Sequence, residues 1–390
     1  MNKSNKLKIF FVLGEESGDI LGEKLMKSIL VSSLVNESDV EFFGLGGSRM
    51  KKLGIKSIFS ISELSLMGFL EIIPHIPKLI KRINFTAQRI KEINPDIVIS
   101  IDSPDFSFRV VKKIATDKDL SHIKKCHLIA PSVWAYREGR AQKISKIYDL
   151  LLTILPFEPP FFEKYGLSSK FVGHPILQNK QICKKGHFRK KFSIKNEEKL
   201  IVLTAGSRVS EVKKILPHLV GAAKIIKQHF SKQITFAILV TDKVESFIQH
   251  YLKDCEVNVL IVRQKDKYEL FTDANFAIAK SGTNNIEMSL YQLPMIITYK
   301  VNYLTYYLIK LMIKIKFANL INIISKKEVI AEFLQKKCNA KDLANEAIRF
   351  LEDDNLCLKQ IKDSKNSLIA MGINFKDSPT DMATKYILET

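Results

Sequence analysis

Short apolar runs punctuate the chain, and longer segments with a helical period separate them. In the first half the runs fall at 7–13, 40–45, 97–101, 126–130 and 150–155. In the second half they fall at 200–205, 234–240, 257–262, 276–279 and 295–299. They are rich in Val, Ile and Leu and mostly continuous rather than alternating, the pattern of strands buried on both faces. Between them, Leu21, Leu25 and Ile29 recur at one helical spacing, as do Ala222, Ile226 and Phe230. Each trio lies on one face of a helix. Strand–helix alternation predicts βαβ units and a right-handed parallel sheet in each half. The fold class is therefore α/β, with two Rossmann-like domains facing a cleft. We expect the first to span 1–177 and the second 178–370, with a C-terminal helix at 371–390 packing back on the first.

Two turns suggest what such domains would do. Gly14-Glu15-Glu16-Ser17-Gly18-Asp19 follows the first strand, and Gly206-Ser207-Arg208 follows the run 200–205. Each breaks a strand at small residues and opens a helix, where backbone N–H groups and the helix dipole favour an anion. Arg208 adds a planar fork for phosphate oxygens. An ordinary turn with a capping Ser fits Gly206-Ser207-Arg208 equally well. Lys280-Ser281-Gly282-Thr283-Asn284-Asn285-Ile286-Glu287 is a second such turn in the same half. Its Ser, Gly and Thr allow close backbone approach to a diphosphate, and Glu287 could accept ribose hydroxyls or merely complement the helix N-terminus. Asp102 closes the strand 97–101 ahead of Ser103-Pro104-Asp105. Both a general base and a helix cap are open to it, and Asp105 can also cap.

The formal net charge is +20, which favours anionic partners. No zinc-finger spacing, RNA-binding aromatic signature or dense basic arm accompanies it, so nucleic acid is not the expected partner. The five cysteines, at 126, 183, 255, 338 and 357, are odd in number and scattered. They form no disulfide framework or zinc pattern and suit a reducing cytoplasm. The apolar stretch near the N-terminus, Ile9 to Leu13, is too short for a signal core, and no run approaches the ~20 apolar residues of a membrane span. The polar stretch 178–199, with Lys184, Lys185, Arg189, Lys190 and Lys191, reads as the passage between domains. Asp117-Lys118-Asp119 has an acid-x-acid pattern but sits in a polar loop, and no metal is expected there. The only Trp, Trp134, lies in Pro131-Ser132-Val133-Trp134-Ala135 after a strand. It suits a sugar or acyl ligand as well as it suits the core. His174, near the domain junction, reads as structural. The segments 64–83 and 301–316 mix apolar and basic residues. Buried helix is the expectation for both, and a membrane-surface helix is the alternative.

These motifs, together with Gly46-Gly47-Ser48-Arg49-Met50, Leu66-Met67-Gly68, Leu155-Pro156-Phe157-Glu158, Gly173-His174-Pro175 and Glu332-Phe333-Leu334-Gln335, occur in order along nearly the whole chain. In this they closely resemble the lipid-A-disaccharide synthases, inverting glycosyltransferases of GT-B architecture. The resemblance implies the substrates UDP-2,3-diacylglucosamine and 2,3-diacylglucosamine 1-phosphate, a β-1,6-linked disaccharide product in lipid A biosynthesis, and no cofactor. It makes Asp102 the general base and Arg208 the stabiliser of the departing diphosphate. Gly206, Ser207, Ser281, Gly282, Thr283 and Glu287 would bind the UDP-sugar. Glu15, Ser17, Trp134 and Gln335 would line the acceptor side. Asn322 matches a catalytic-site Asn of the family, although the preceding family Pro is Ile321 here and the following Ala-Gly-Arg is Ser325-Lys326-Lys327.

The acylated substrates that the resemblance implies would place the chain at the cytoplasmic face of the inner membrane. There Leu66, Met67, Phe69 and Leu70 would enter the headgroup region while Lys78, Lys81 and Arg82 meet anionic lipid. A homodimer is compatible with the pattern. A UDP-sugar epimerase of the same architecture and a non-catalytic protein binding anionic lipid are the alternative readings.

Overall fold

The apolar runs become strands because helices cover both faces of each sheet. In the computed structural model, which describes residues 6–65, 76–230 and 233–389, the chain divides into two units. One is Met1–Pro175 with Asn374–Thr390, and the other is Ile176–Ile373. The first unit holds β1 (Leu7–Val12), β2 (Val40–Gly44), β3 (Lys56–Ser57), β4 (Ile97–Ile101), β5 (Lys124–Leu128), β6 (Leu150–Thr153) and β7 (Ser168–Phe171). They pair in parallel in the order β3-β2-β1-β4-β5-β6-β7. Ile9, Phe10, Phe11 and Val12 are completely buried. The second unit holds β8 (Lys199–Thr204), β9 (Ile234–Val240), β10 (Val259–Arg263), β11 (Phe276–Lys280), β12 (Met295–Tyr299) and β13 (Glu332–Leu334). Their order, β10-β9-β8-β11-β12-β13, is again parallel throughout. Both are doubly wound sheets whose strand order reverses at one point, between β1 and β4 and between β8 and β11. Ligands bind such sheets outside the carboxyl ends of the strands at that reversal.

Helix faces follow the sequence period. Leu21, Leu25 and Ile29 are buried on the helix Glu16–Leu30, and Ala222 and Ile226 on Val209–Phe230. The last helix runs Pro379–Glu389, shorter than the expected 371–390, because Gly372 at φ +98° ends the preceding helix. It packs on Glu16–Leu30: Ser28 Oγ donates to Asp381 Oδ1 at 2.6 Å, and Ala383 and Ile387 join the first unit's core.

Three strands escaped the hydrophobic pattern. β3, β7 and β13 are short edge strands carrying Lys, Ser and Glu, and edges need little apolar content. β5 begins two residues before the expected 126 because its lysines are half inside, Lys125 donating to the Ile123 carbonyl at 2.6 Å. The stretch 178–199 is not a solvated linker. Residues His187–Lys191 form a helix with Phe188 and Arg189 buried, and the Arg189 guanidinium donates to the Asp273, Lys195 and Glu198 carbonyls and to Asn275. A charge run on paper is thus partly a buried, fully hydrogen-bonded cation.

Candidate active site

At the strand reversal of the first unit, the loop after β1 lies against the loop after β4. Gly14 is required there, since a Cβ would sit 2.8 Å from Ser103 Oγ. Asp102 and Ser103 are both left-handed, each with φ 47°. Such residues cost of order 1–3 kcal/mol each and persist where the surrounding fold imposes them. Pro104 then starts the helix Pro104–Ala115, with Ser103 as its N-cap and no side-chain cap. Asp102 therefore stands one residue outside the capping position. Burial pushes its carboxyl above the usual range; a hydrogen bond from the Ser103 backbone opposes this, and the charge of Glu15 adds to it. Asp105 is mostly exposed and ion-paired to Arg140 at 3.1 Å. Glu15 and Ser17 are exposed at the start of the helix Glu16–Leu30.

Asp19, to which the motif reading assigned no role, ties two of the motifs together. It accepts from the backbone N–H of Gly47 at 2.7 Å and of Arg49 and Met50 at 3.2 Å. Trp134 is half-buried, its Nε1 donating to Glu158 Oε1 at 3.1 Å and its ring edge-on to Phe157. Glu158 also accepts from the Ile154 and Leu155 N–H groups, and burial raises its carboxyl to about 7. The Trp and Leu-Pro-Phe-Glu motifs thus form one structural knot, with the indole N–H already committed. His174 is buried and shifted down to about 4 by that burial, which keeps it neutral at physiological pH. Asp117 and Asp119 both pair with Lys91, at 2.8 and 3.3 Å.

The second unit's reversal carries a cavity of about 200 Å³ lined by Thr204, Gly206, Ser207, Thr241, Lys280, Gly282, Thr283 and Asn284, among others. Gly206 has φ +114°, and a Cβ there would meet Glu211 Oε2 at 2.5 Å. The Thr241 hydroxyl, buried on the wall, has no hydrogen-bond partner among the described residues. Lys280 is the cation on this wall, a residue quoted in the motif but given no role by sequence reasoning. Its Nζ lies 3.1 Å from Glu211 Oε1, and Glu211 also accepts from the Ser207 N–H at 3.3 Å. Arg208 stands beside the cavity with its side chain 80% exposed, 3.9 Å from the same Glu211 oxygen. Ser281 does not line the cavity; its hydroxyl donates to the Ala318 carbonyl at 3.0 Å.

Three candidates are placed differently from expectation. Glu287 is buried away from the cavity lining, its oxygens receiving Lys267 Nζ at 2.8 and 2.9 Å and Tyr268 Oη at 2.9 Å. A ribose would have to share it. Asn322 is corrected from a catalytic to a structural residue. It is completely buried; Nδ2 donates to the Ile330 carbonyl and Glu332, and Oδ1 accepts from the Val329 and Ile330 N–H groups. It has no hydrogen-bonding capacity left for a substrate. Asn322→Leu is accordingly expected to cost about 2–4 kcal/mol of stability, because it orphans those buried groups. Thermal melting checks this; an unchanged melting temperature with lost turnover would restore the catalytic role. Gln335 is buried in a left-handed conformation, φ 53°, with Oε1 accepting from the Val301 N–H at 3.2 Å and Nε2 unpartnered among the described residues. Lys327 is ion-paired to Asp363 at 3.0 Å.

Of the membrane residues, Leu66, Met67, Phe69 and Leu70 lie outside the described residues. Lys78, Lys81 and Arg82 stand on the helix Ile76–Ile93. Arg82 is half-buried, held by Glu63 at 2.5 Å and lying over the Phe59 ring, and Lys78 is 3.6 Å from the same Glu63. Arg82 is thus ion-paired and partly covered rather than a free lipid-facing charge, while Lys78 and Lys81 are exposed. Among the described residues no helix is long and apolar enough to cross a membrane.

Two doubly wound Rossmann-like units in one chain define an α/β protein of the GT-B class. The same fold appears in the S. aureus MnaA–UDP co-structure (TM-score 0.64, 14% identity, 98% of this chain and 97% of that one). It appears also in the glycotransferase of kitacinnamycin (TM-score 0.62, 11% identity, 97% of each chain). At sequence level the profile of the lipid-A-disaccharide synthetase family matches residues 9–385. A lipid-A-disaccharide synthase of Rickettsia conorii is 39% identical over 377 residues, covering 94% of this chain and 83% of that one. The chain belongs to the lipid-A-disaccharide synthase family, glycosyltransferases of lipid A biosynthesis.

Proposed function

We propose that the chain transfers 2,3-diacylglucosamine from UDP to the 6-hydroxyl of 2,3-diacylglucosamine 1-phosphate, giving the β-1,6-linked disaccharide 1-phosphate and UDP. The first unit serves the acceptor and the second the nucleotide sugar. Asp102 takes the proton from the 6-hydroxyl as that oxygen attacks the anomeric carbon from the face opposite UDP. The bond from the anomeric carbon to the β-phosphate oxygen breaks, and the pair stays with UDP. Gly206, Ser207, Gly282 and Thr283 cradle the diphosphate, with Ser281 shaping the turn and Arg208 and Lys280 countering the negative charge of the leaving group. Glu15, Ser17 and Trp134 belong to the acceptor side. The chain works peripherally at the cytoplasmic face of an anionic membrane, where its acylated substrates reside.

The observation that carries this reading is the cavity at the second unit's strand reversal, glycine-lined with Lys280 on its wall, which suits a diphosphate. UDP release from UDP-2,3-diacylglucosamine, measured with and without the acceptor lipid, tests it. Acceptor-dependent release is expected. Turnover of an unacylated UDP-sugar would favour an epimerase, and no release from any donor would leave a lipid-binding protein.

Two further outcomes follow. Because Asp102 must be ionised to act, and its carboxyl is raised, kcat/KM should fall as pH drops through a value above the ordinary carboxylate range of about 4. A pH–rate profile flat down to that range would remove Asp102 as the base. In this scheme the counter-charges are side chains, so a divalent-metal chelator should leave turnover unchanged; a collapse of activity would overturn their assignment.

A further inference from the structure

The helix Tyr303–Met312 has no part in the scheme above and presents large apolar side chains to solvent. A neighbour in the same unit, Ala340–Glu352, buries Leu343, Ala344, Ala347 and Phe350 and turns its charges outward. On Tyr303–Met312, Tyr307 is 61% exposed and Leu311, one turn on, is 85% exposed. Met312 and Ile313 continue the apolar surface. At Tyr307, Leu311, Met312 and Ile313 this corrects the expectation of a buried helix at 301–316. Single exposed apolar residues are ordinary, but a contiguous set marks an interaction surface.

Charge decides what it meets. No Asp or Glu occurs between Glu287 and Glu328, whereas Lys310 and Lys316 are interleaved with the apolar positions and exposed. We infer that this helix is a docking surface for an anionic bilayer. Tyr307, Leu311, Met312 and Ile313 enter the headgroup boundary, and the lysine stems lie along it with their ammonium groups at the phosphates. A second copy of the chain fits worse, since a two-fold contact would set this lysine-bearing, acid-free segment against itself and bring like charges together. The inference deepens the proposed function by giving the nucleotide-sugar unit its own contact with the layer that supplies acylated substrates.

The test uses the full chain and co-sedimentation with vesicles of phosphatidylethanolamine, with or without phosphatidylglycerol. Tyr307→Ser/Leu311→Ser and Lys310→Gln/Lys316→Gln are compared with the parent. The parent should bind only the anionic vesicles. The lysine pair should weaken binding roughly 25-fold, at about a factor of five per lysine near an anionic surface, and the apolar pair at least roughly tenfold. Melting temperatures and UDP release from detergent-dispersed substrates should be unchanged. Vesicle binding within twofold of the parent, a lowered melting temperature in the Ser pair, or a dimer lost without change in vesicle binding would each overturn the inference. Absent UDP release by the parent in detergent would instead overturn the proposed reaction, and the vesicle result would still decide the surface.

Discussion

Asp102→Asn is expected to lower kcat by roughly 10²–10⁴ while UDP-sugar affinity stays near that of the parent. The amide keeps the shape of the carboxylate and cannot accept the proton. The site is built for the acid rather than for its shape alone. Asp102 closes β4 at the strand reversal, in a left-handed turn shared with Ser103 and packed against Gly14. Burial raises its pKa, which brings it toward the operating range of a general base. Asp105 is the control: its carboxylate is exposed and paired with Arg140, so Asp105→Asn should change kcat by less than about threefold. Binding of UDP-sugar by calorimetry beside steady-state turnover separates the two roles. Turnover of Asp102→Asn close to the parent would return this residue to a purely structural role in the turn.

The central strands were legible because a short, continuous apolar run bounded by turn residues suits a strand buried on both faces and little else. The turns after β1, β4, β8 and β11 were legible because small residues at strand ends serve phosphate and backbone approach alike. What escaped the sequence depends on partners distant in the chain. Arg189 reads as part of a basic run until the carbonyls of 195, 198 and 273 appear around it. Asn322 reads as a site residue because its position matches a motif, yet its side-chain amide serves the loop at 329–332. The segment 301–316 mixes apolar and basic residues as a core helix can, and only the fold reveals that Tyr307 and Leu311 are exposed. Periodicity specifies a face and leaves open what covers it.

Lys280 presents the same difficulty inside the site and yields the second large expected effect. Its ammonium is neutralised by Glu211, whose carboxylate also receives the Ser207 N–H. A diphosphate entering the glycine-lined cavity competes with Glu211 for Lys280 and for that N–H. Lys280→Met removes a cation from the leaving group and also leaves a poorly exposed carboxylate facing the diphosphate. The loss should therefore exceed the roughly 10²–10³ in kcat typical of one deleted transition-state donor. Lys280→Met/Glu211→Gln removes the cation without leaving that repulsion and should recover about tenfold over Lys280→Met alone. Arg208→Lys, which keeps charge but loses the planar fork, should weaken UDP binding and turnover more modestly, about tenfold, since this side chain is largely exposed. Turnover and UDP affinity of the four proteins, measured with detergent-dispersed substrates, decide the matter. If the double variant is no better than Lys280→Met, Glu211 does not oppose the diphosphate. If Lys280→Met turns over like the parent, the cation of the leaving-group site is Arg208 alone.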